Sequence, residues 1–219
     1  MTRVKICGLT READLAAAVD AGADAVGFVC DVPVETPREI SVARATELVA
    51  ATPPFVTSVL VTMPSGPERA IELVEAVEPD AIQVHAALPP GDLAYLRSRV
   101  DANLLVAVGA GDVPAAARYE DLVDALVVDT VDADGAGGTG ETHDWDRTRE
   151  AAASLSTPVV LAGGLTPENV SAAVSSVTPF GVDVASGVEA DGGEKDADAV
   201  GAFVRRAKAD RPLADAVEP

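Results

Sequence analysis

The chain has 219 residues, 36 acidic against 16 basic, a formal net charge of −20 and 48% hydrophobic content with only 3% aromatics. That charge excludes a nucleic-acid backbone as partner, because phosphates call for basic patches, and no apolar run approaches the ~18 residues of a membrane span. Its two cysteines, Cys7 and Cys30, have no motif spacing, which excludes a disulfide framework and points to a reducing, cytoplasmic compartment.

Only three of the 16 basic residues are lysines (Lys5, Lys195, Lys208), and the core residues are mainly Ala and Val. With abundant Asp, this pattern reads as a protein of a salt-rich cytoplasm, where screening relieves repulsion among carboxylates. The melting temperature is therefore expected to be higher in molar KCl than in dilute buffer, and equal values would remove that reading.

In chain order, the first strand-like run is RVKIC (3–7), so early that no signal peptide is expected before it. A helical stretch follows (READLAAAVDAG, 11–22), then a strand (DAVGFV, 24–29), a helix (SVARATELVAA, 41–51) and a strand (FVTSVLV, 55–61). The alternation continues through GPERAIELVEAV (66–77, helix), DAIQVH (80–85), NLLVAV (103–108), DALVVDT (124–130), PVVLAG (158–163), TPENVSAAVSSV (166–177, helix) and FGVDVAS (180–186). Thr10, Ser41, Ser65 and Thr166 stand where helix caps belong. Two segments break the rhythm: the glycine-rich 131–145, and EADGGEKDAD (189–198), which reads as an acidic surface loop. Eight strands, each followed by a helix, predict a single-domain (β/α)₈ TIM barrel over 1–209, with a frayed tail at 210–219. A doubly wound sheet would show fewer strands and a glycine fingerprint after the first; here the glycines cluster after strands six, seven and eight.

Catalytic groups of such barrels sit at the carboxyl ends of the strands. That places Cys7, Gln83, His85, Asp129 and Asp183 as candidates. Alternation puts Cys7 and Lys5 on one face, directed into the barrel, with Val4 and Ile6 on the other. Lys5 then either favours the Cys7 thiolate or pairs with a carboxylate. A thiol and a carboxylate facing one cavity suit a proton shuttle; alone, each also reads as packing or a cap. Two histidines and no Cys or His pair at ligand spacing argue against a metal. Gly163 and Gly164 after strand seven, with Ser186 and Gly187 after strand eight, place backbone N–H groups for a phosphorylated small molecule.

These pieces resemble the phosphoribosylanthranilate isomerase family of tryptophan biosynthesis. The matching segments run in order along the chain: KICGLT (5–10), GADAVGFV (22–29), TPR (36–38), QVH (83–85), VVDT (127–130), GGTG (137–140), DW (144–145), LAGGLTPENV (161–170) and GVDVASGVE (181–189). The resemblance implies an Amadori rearrangement without a cofactor, with Cys7 as general base and Asp129 as general acid. Asp129 must then hold a proton near neutral pH, which requires a desolvated site or a neighbouring anion. The resemblance also implies that Arg38 binds the anthranilate carboxylate, that Asp183, Gln83 and His85 contact substrate, and that Gly163, Gly164, Ser186 and Gly187 hold its phosphate. The bland alternatives are that Arg38 is a loop charge and that Asp183 pairs with Lys5. Departures from the family pattern are Ala86 where QLHG has glycine, Glu35 and Thr36 before the arginine segment, and His143 where an aromatic precedes the tryptophan. Rival readings are another sugar-phosphate barrel enzyme, an epimerase or lyase, and a non-catalytic barrel that only binds a sugar phosphate. Monomer and homodimer are both open.

Overall fold

A computed structural model describes residues 1–129, 145–153 and 155–209. The expected GGTG segment, Thr130, His143, Asp144 and the 210–219 tail lie outside the described residues. Eight parallel strands close into a barrel in sequence order: β1 (Arg3–Cys7), β2 (Ala25–Val29), β3 (Thr57–Thr62), β4 (Ala81–Val84), β5 (Asn103–Gly109), β6 (Ala125–Asp129), β7 (Val159–Ala162) and β8 (Gly181–Val184), with β8 pairing back to β1. Around them run α1 (Glu12–Asp20), α2 (Val42–Ala51), α3 (Pro67–Val77), α4 (Pro90–Arg97), the short α5 (Val113–Ala116), α6 (Trp145–Ala152), α7 (Val170–Val177) and α8 (Ala197–Lys208). Among the described residues no helix is long and apolar enough to cross a membrane.

Strand alternation explains how the core divides. Val4, Ile6, Phe28 and Val182 point outward and pack with Leu15, Val170 and Phe203 of the surrounding helices. The facing set, Cys7, Val59, Val61 and Ala81, forms an inner cluster with Leu105 and Ala185. Side chains fill the barrel, so it is a packed core with chemistry at one end.

The amino-terminal ends of the strands are tied by a repeated device. Asp24, Asp80 and Asp124 each precede an even-numbered strand, and each accepts a 2.8 Å bond from a backbone N–H of the preceding strand: Val4, Ser58 and Leu104 respectively. Each carboxylate thereby satisfies a donor at the start of its neighbour. Burial opposes the Asp24 carboxylate, but Lys208, the Val4 N–H and Arg3 outweigh it and hold its pKa below the ordinary value. Arg97 does the same for Asp124, against a smaller burial effect. A carboxyl held low in the fold contributes stability that is present above its unfolded pKa of about 3.9 and lost as pH falls through the folded value. In molar KCl, where the excess negative charge is screened, unfolding free energy is therefore expected to fall progressively below about pH 5. Asp124→Asn should flatten that acid limb. Identical limbs in chemical denaturation of the two proteins would reject this account.

Several expectations about element ends need correction. Thr10 does not cap α1; Arg11 occupies that position without a side-chain bond, and the Thr10 hydroxyl donates instead to the Gly193 carbonyl at 2.9 Å. Ser65 is displaced by Gly66, because Pro67 opens α3 at its first turn, where proline is well suited. The third strand begins at Thr57 and not at Phe55, since Phe55 adopts a left-handed φ of 72° and stands fully exposed. Ser41 caps α2 as expected, accepting from Arg44 N. Thr166 does not cap α7: Asn169 occupies that position without a side-chain cap bond, and the preceding turn is held by Thr166 Oγ1 accepting from Glu168 N and Asn169 Oδ1 accepting from Thr166 N.

Candidate active site

Cys7 ends β1 on the inner face and is buried, beside Gly27 of β2. A Cβ at Gly27 would stand 2.8 Å from the Cys7 sulfur and 3.1 Å from Lys5 Cε, so only glycine leaves room for both side chains. One layer below, Lys5 donates to Asp183 Oδ2 at 2.7 Å, both groups being buried. The bland reading of Lys5 and Asp183 as an internal pair is thus what the structure shows. Burial alone would lower the Lys5 pKa; Asp183 and Cys7 together reverse this and raise it. For Cys7, burial dominates and pushes the thiol above its usual range, with Asp183 adding to the rise, while Lys5 and Lys195 act in the opposite direction. Lys5 thus does both things expected of it: it pairs with the Asp183 carboxylate and it favours the Cys7 thiolate, but desolvation of the thiolate costs more than the cation returns, so the thiol stays above its usual range.

Asp129 ends β6, three strands round the ring from β1 by way of β8 and β7. It shares its strand face with Val127, which packs inside the barrel with Ala107, Val160 and Ala162. Its neighbours in register are Gly109 and Ala162, two small residues that leave its carboxylate room. His85 Nε2 lies 3.5 Å from Asp129 Oδ2. An open groove of about 390 Å³ adjoins the two, lined also by Ala86, Gly109, Asp112 and Tyr119. Gln83, two residues before His85, is buried on β4.

Among the described residues, three buried side-chain oxygens make no hydrogen bond: Gln83 Oε1, Asp129 Oδ1 and Asp183 Oδ1. Leaving a buried acceptor unmatched costs about 1–3 kcal/mol each, and all three belong to residues expected in the site. A ligand rich in hydroxyl donors matches such a set.

Arg38 is neither free nor a simple surface charge. Its Nε and Nη2 donate to the two oxygens of Glu189 at 2.8 and 2.7 Å. Room for its side chain comes from Gly8, at φ +75°, where a Cβ would meet Arg38 Cδ at 2.7 Å. Glu189 also accepts from Lys195 Nζ at 2.7 Å, and Lys195 donates on to the Ala185 carbonyl at 3.0 Å. Both residues lie in the segment expected to be an acidic loop. It is instead an antiparallel hairpin of β9 (Glu189–Asp191) and β10 (Glu194–Lys195), with the Lys195 side chain fully buried. Sequence reasoning passed over Glu189 and Lys195. A signal existed, since Lys195 is one of three lysines among 16 basic residues, and Glu189 closes the GVDVASGVE run.

The glycine tips after β7 and β8 touch. A Cβ on Gly187 would fall 1.9 Å from the Leu165 carbonyl oxygen, so any side chain there would drive the tips apart. Gly163 and Gly164 have φ values of +83° and +60°, a left-handed turn that glycine adopts without strain. Ser186 begins a single 3₁₀ turn. Among the described residues, no group of three or more His, Cys, Asp or Glu side chains is placed to hold a metal.

The comparisons agree with this geometry. The family model for N-(5'-phosphoribosyl)anthranilate (PRA) isomerase matches residues 4–206. The N-(5'-phosphoribosyl)anthranilate isomerase of Halobacterium salinarum is 65% identical over 212 residues, covering 95% of this chain and 97% of that protein. The crystal structure of the Thermotoga maritima phosphoribosyl anthranilate isomerase superposes with a TM-score of 0.85 at 36% identity, covering 95% of this chain and 99% of that one. A phosphoribosyl anthranilate isomerase in complex with reduced 1-(o-carboxyphenylamino)-1-deoxyribulose 5-phosphate gives 0.80 at 36% identity, over the same shares of the two chains. With the family model matched from residue 4 to residue 206 and a relative 65% identical along 95% of its length, the chain belongs to the N-(5'-phosphoribosyl)anthranilate isomerase family.

Proposed function

We propose that the chain catalyses the Amadori rearrangement of N-(5-phosphoribosyl)anthranilate to 1-(2-carboxyphenylamino)-1-deoxyribulose 5-phosphate, with Cys7 as base and Asp129 as acid. The observation that carries the role assignment is the placing of Cys7 and Asp129 at the carboxyl ends of separate strands, both on the inner face. Asp129 gives its proton to the ribose ring oxygen as the C1′–O bond breaks. The nitrogen lone pair forms the C1′=N iminium, so no bound electron sink is required. Cys7, as the thiolate once its own proton has passed to solvent, then removes the C2′ proton, and the C–H electrons flow into the iminium to give the enolamine, which tautomerises to the ketose. The iminium matters for Cys7. A thiol held protonated by burial gains a cation beside it when the ring opens, and an adjacent positive charge favours the thiolate.

The remaining residues bind. The unmatched Oδ1 of Asp183 and Oε1 of Gln83 accept from ribose hydroxyls, and His85 contacts substrate beside Asp129. The tips carrying Gly163, Gly164, Ser186 and Gly187 take the phosphate. Arg38 keeps its Nη1 edge for the anthranilate carboxylate, since Glu189 occupies only Nε and Nη2. The rival reading, a barrel that binds a sugar phosphate without chemistry, differs in one measurement. Loss of freshly generated phosphoribosylanthranilate, followed by fluorescence in molar KCl, is expected to accelerate with enzyme. A folded protein that binds the reduced product analogue and turns nothing over would establish the rival.

A further inference from the structure

The hairpin after the last barrel strand is pinned over the mouth at several points. Thr10 holds the Gly193 carbonyl at 2.9 Å, and Arg11 pairs with Glu194 at 2.9 Å. Gly193, at φ +78°, presses so closely on the segment carrying Arg38 that a Cβ would lie 2.4 Å from the Pro37 carbonyl oxygen. Inside this arrangement one carboxylate faces two cations. Glu189, with its side chain 7% exposed, takes the fork of Arg38 and the ammonium of Lys195, whose own side chain is 0% exposed. Burial disfavours the charged form of Glu189, yet Arg38 and Lys195 outweigh it and hold the carboxyl ionised.

A carboxylate so placed is costly unless it does something a neutral residue cannot. Arg38 sits on the connection after β2, outside any regular element, where a long side chain has many rotamers. The bidentate bond fixes the plane of its guanidinium. Lys195 in turn fixes Glu189, and it is anchored to the Ala185 carbonyl at the end of β8. The result is a guanidinium whose plane is set by Glu189 through Nε and Nη2, with Nη1 outside that pair.

We propose that Glu189 is the positioning residue that presents Arg38 to the substrate carboxylate, with Lys195 as its buried anchor. This rests on the reading above that Arg38 grips that carboxylate. Glu189→Gln removes the charge at nearly constant volume and leaves Arg38 free to swing. KM for phosphoribosylanthranilate is expected to rise roughly tenfold or more, with kcat changed much less, as for loss of a preorganised charge-assisted pair. The same variant should show no such KM increase on N-(5-phosphoribosyl)aniline, which lacks the carboxylate. Glu189→Asp keeps the charge on a shorter arm and should fall between wild type and Glu189→Gln; it also serves if Glu189→Gln does not fold. An equal loss on both substrates would mean general damage and would sink the proposal. So would an unchanged KM in Glu189→Gln while Arg38→Met raises it. If Arg38→Met itself leaves KM unchanged, the reading of Arg38 fails first and the clamp goes with it.

Discussion

Replacing Cys7 with alanine is expected to lower kcat by roughly 10²- to 10⁴-fold, the range for loss of a general base or acid, and Asp129→Asn by a similar amount. Neither substitution should unfold the chain. Cys7→Ala removes one sulfur from a site where the thiol makes no bond on which a strand depends, and Asp129→Asn keeps size and one acceptor. The structure adds a further test of the base. Because burial raises the Cys7 thiol, the ionised fraction near neutrality is small and grows with pH, so kcat/KM is expected to climb toward alkaline pH. Serine at this position does not ionise in that range, and the climb should vanish in Cys7→Ser. Near-normal turnover in both Cys7→Ala and Asp129→Asn would overturn the assignment of roles. A climb retained in Cys7→Ser would assign the ionisation to another group.

The barrel was legible because strand alternation and the helices between strands are local properties. RVKIC shows its inner and outer faces within five residues, and the glycine tips declare themselves by composition. The ends of elements were less so. Phe55 reads as strand by type but adopts a left-handed turn, and Thr10 reads as a cap but is drawn away by Gly193, a residue 183 positions later. The site divides in the same way. Cys7, Asp129 and the glycines could be nominated because strand ends have a fixed meaning in this fold. The Arg38–Glu189 pair, 151 residues apart, was not, since local periodicity does not specify which loops meet over the mouth. The net position of the Cys7 thiol was also hidden. Its sign depends on burial competing with Lys5, and sequence displays the lysine but not the extent of burial.

That same competition makes Lys5 the residue whose loss should cost the fold most. Its ammonium and the Asp183 carboxylate are 2.7 Å apart with side chains 6% and 8% exposed. Lys5→Met leaves a buried carboxylate without its partner, for which the penalty is about 3–5 kcal/mol. Chemical denaturation in molar KCl should show that loss directly. Adding Asp183→Leu removes the stranded charge, so the double variant is expected to recover most of the stability, since apolar replacements of buried pairs are often neutral or better. It should not recover activity, because Asp183 Oδ1 is one of the unmatched acceptors assigned to the ribose. The pair also stays intact at high pH. Lys5 is held above its ordinary pKa, so its contribution is fully present below the unfolded value and is lost only as pH rises through the higher folded one. A single variant as stable as wild type would show that water already reaches Asp183. A double variant no more stable than Lys5→Met would show that the lysine stem, packed against Gly27 and Cys7, supports the barrel more than its charge does.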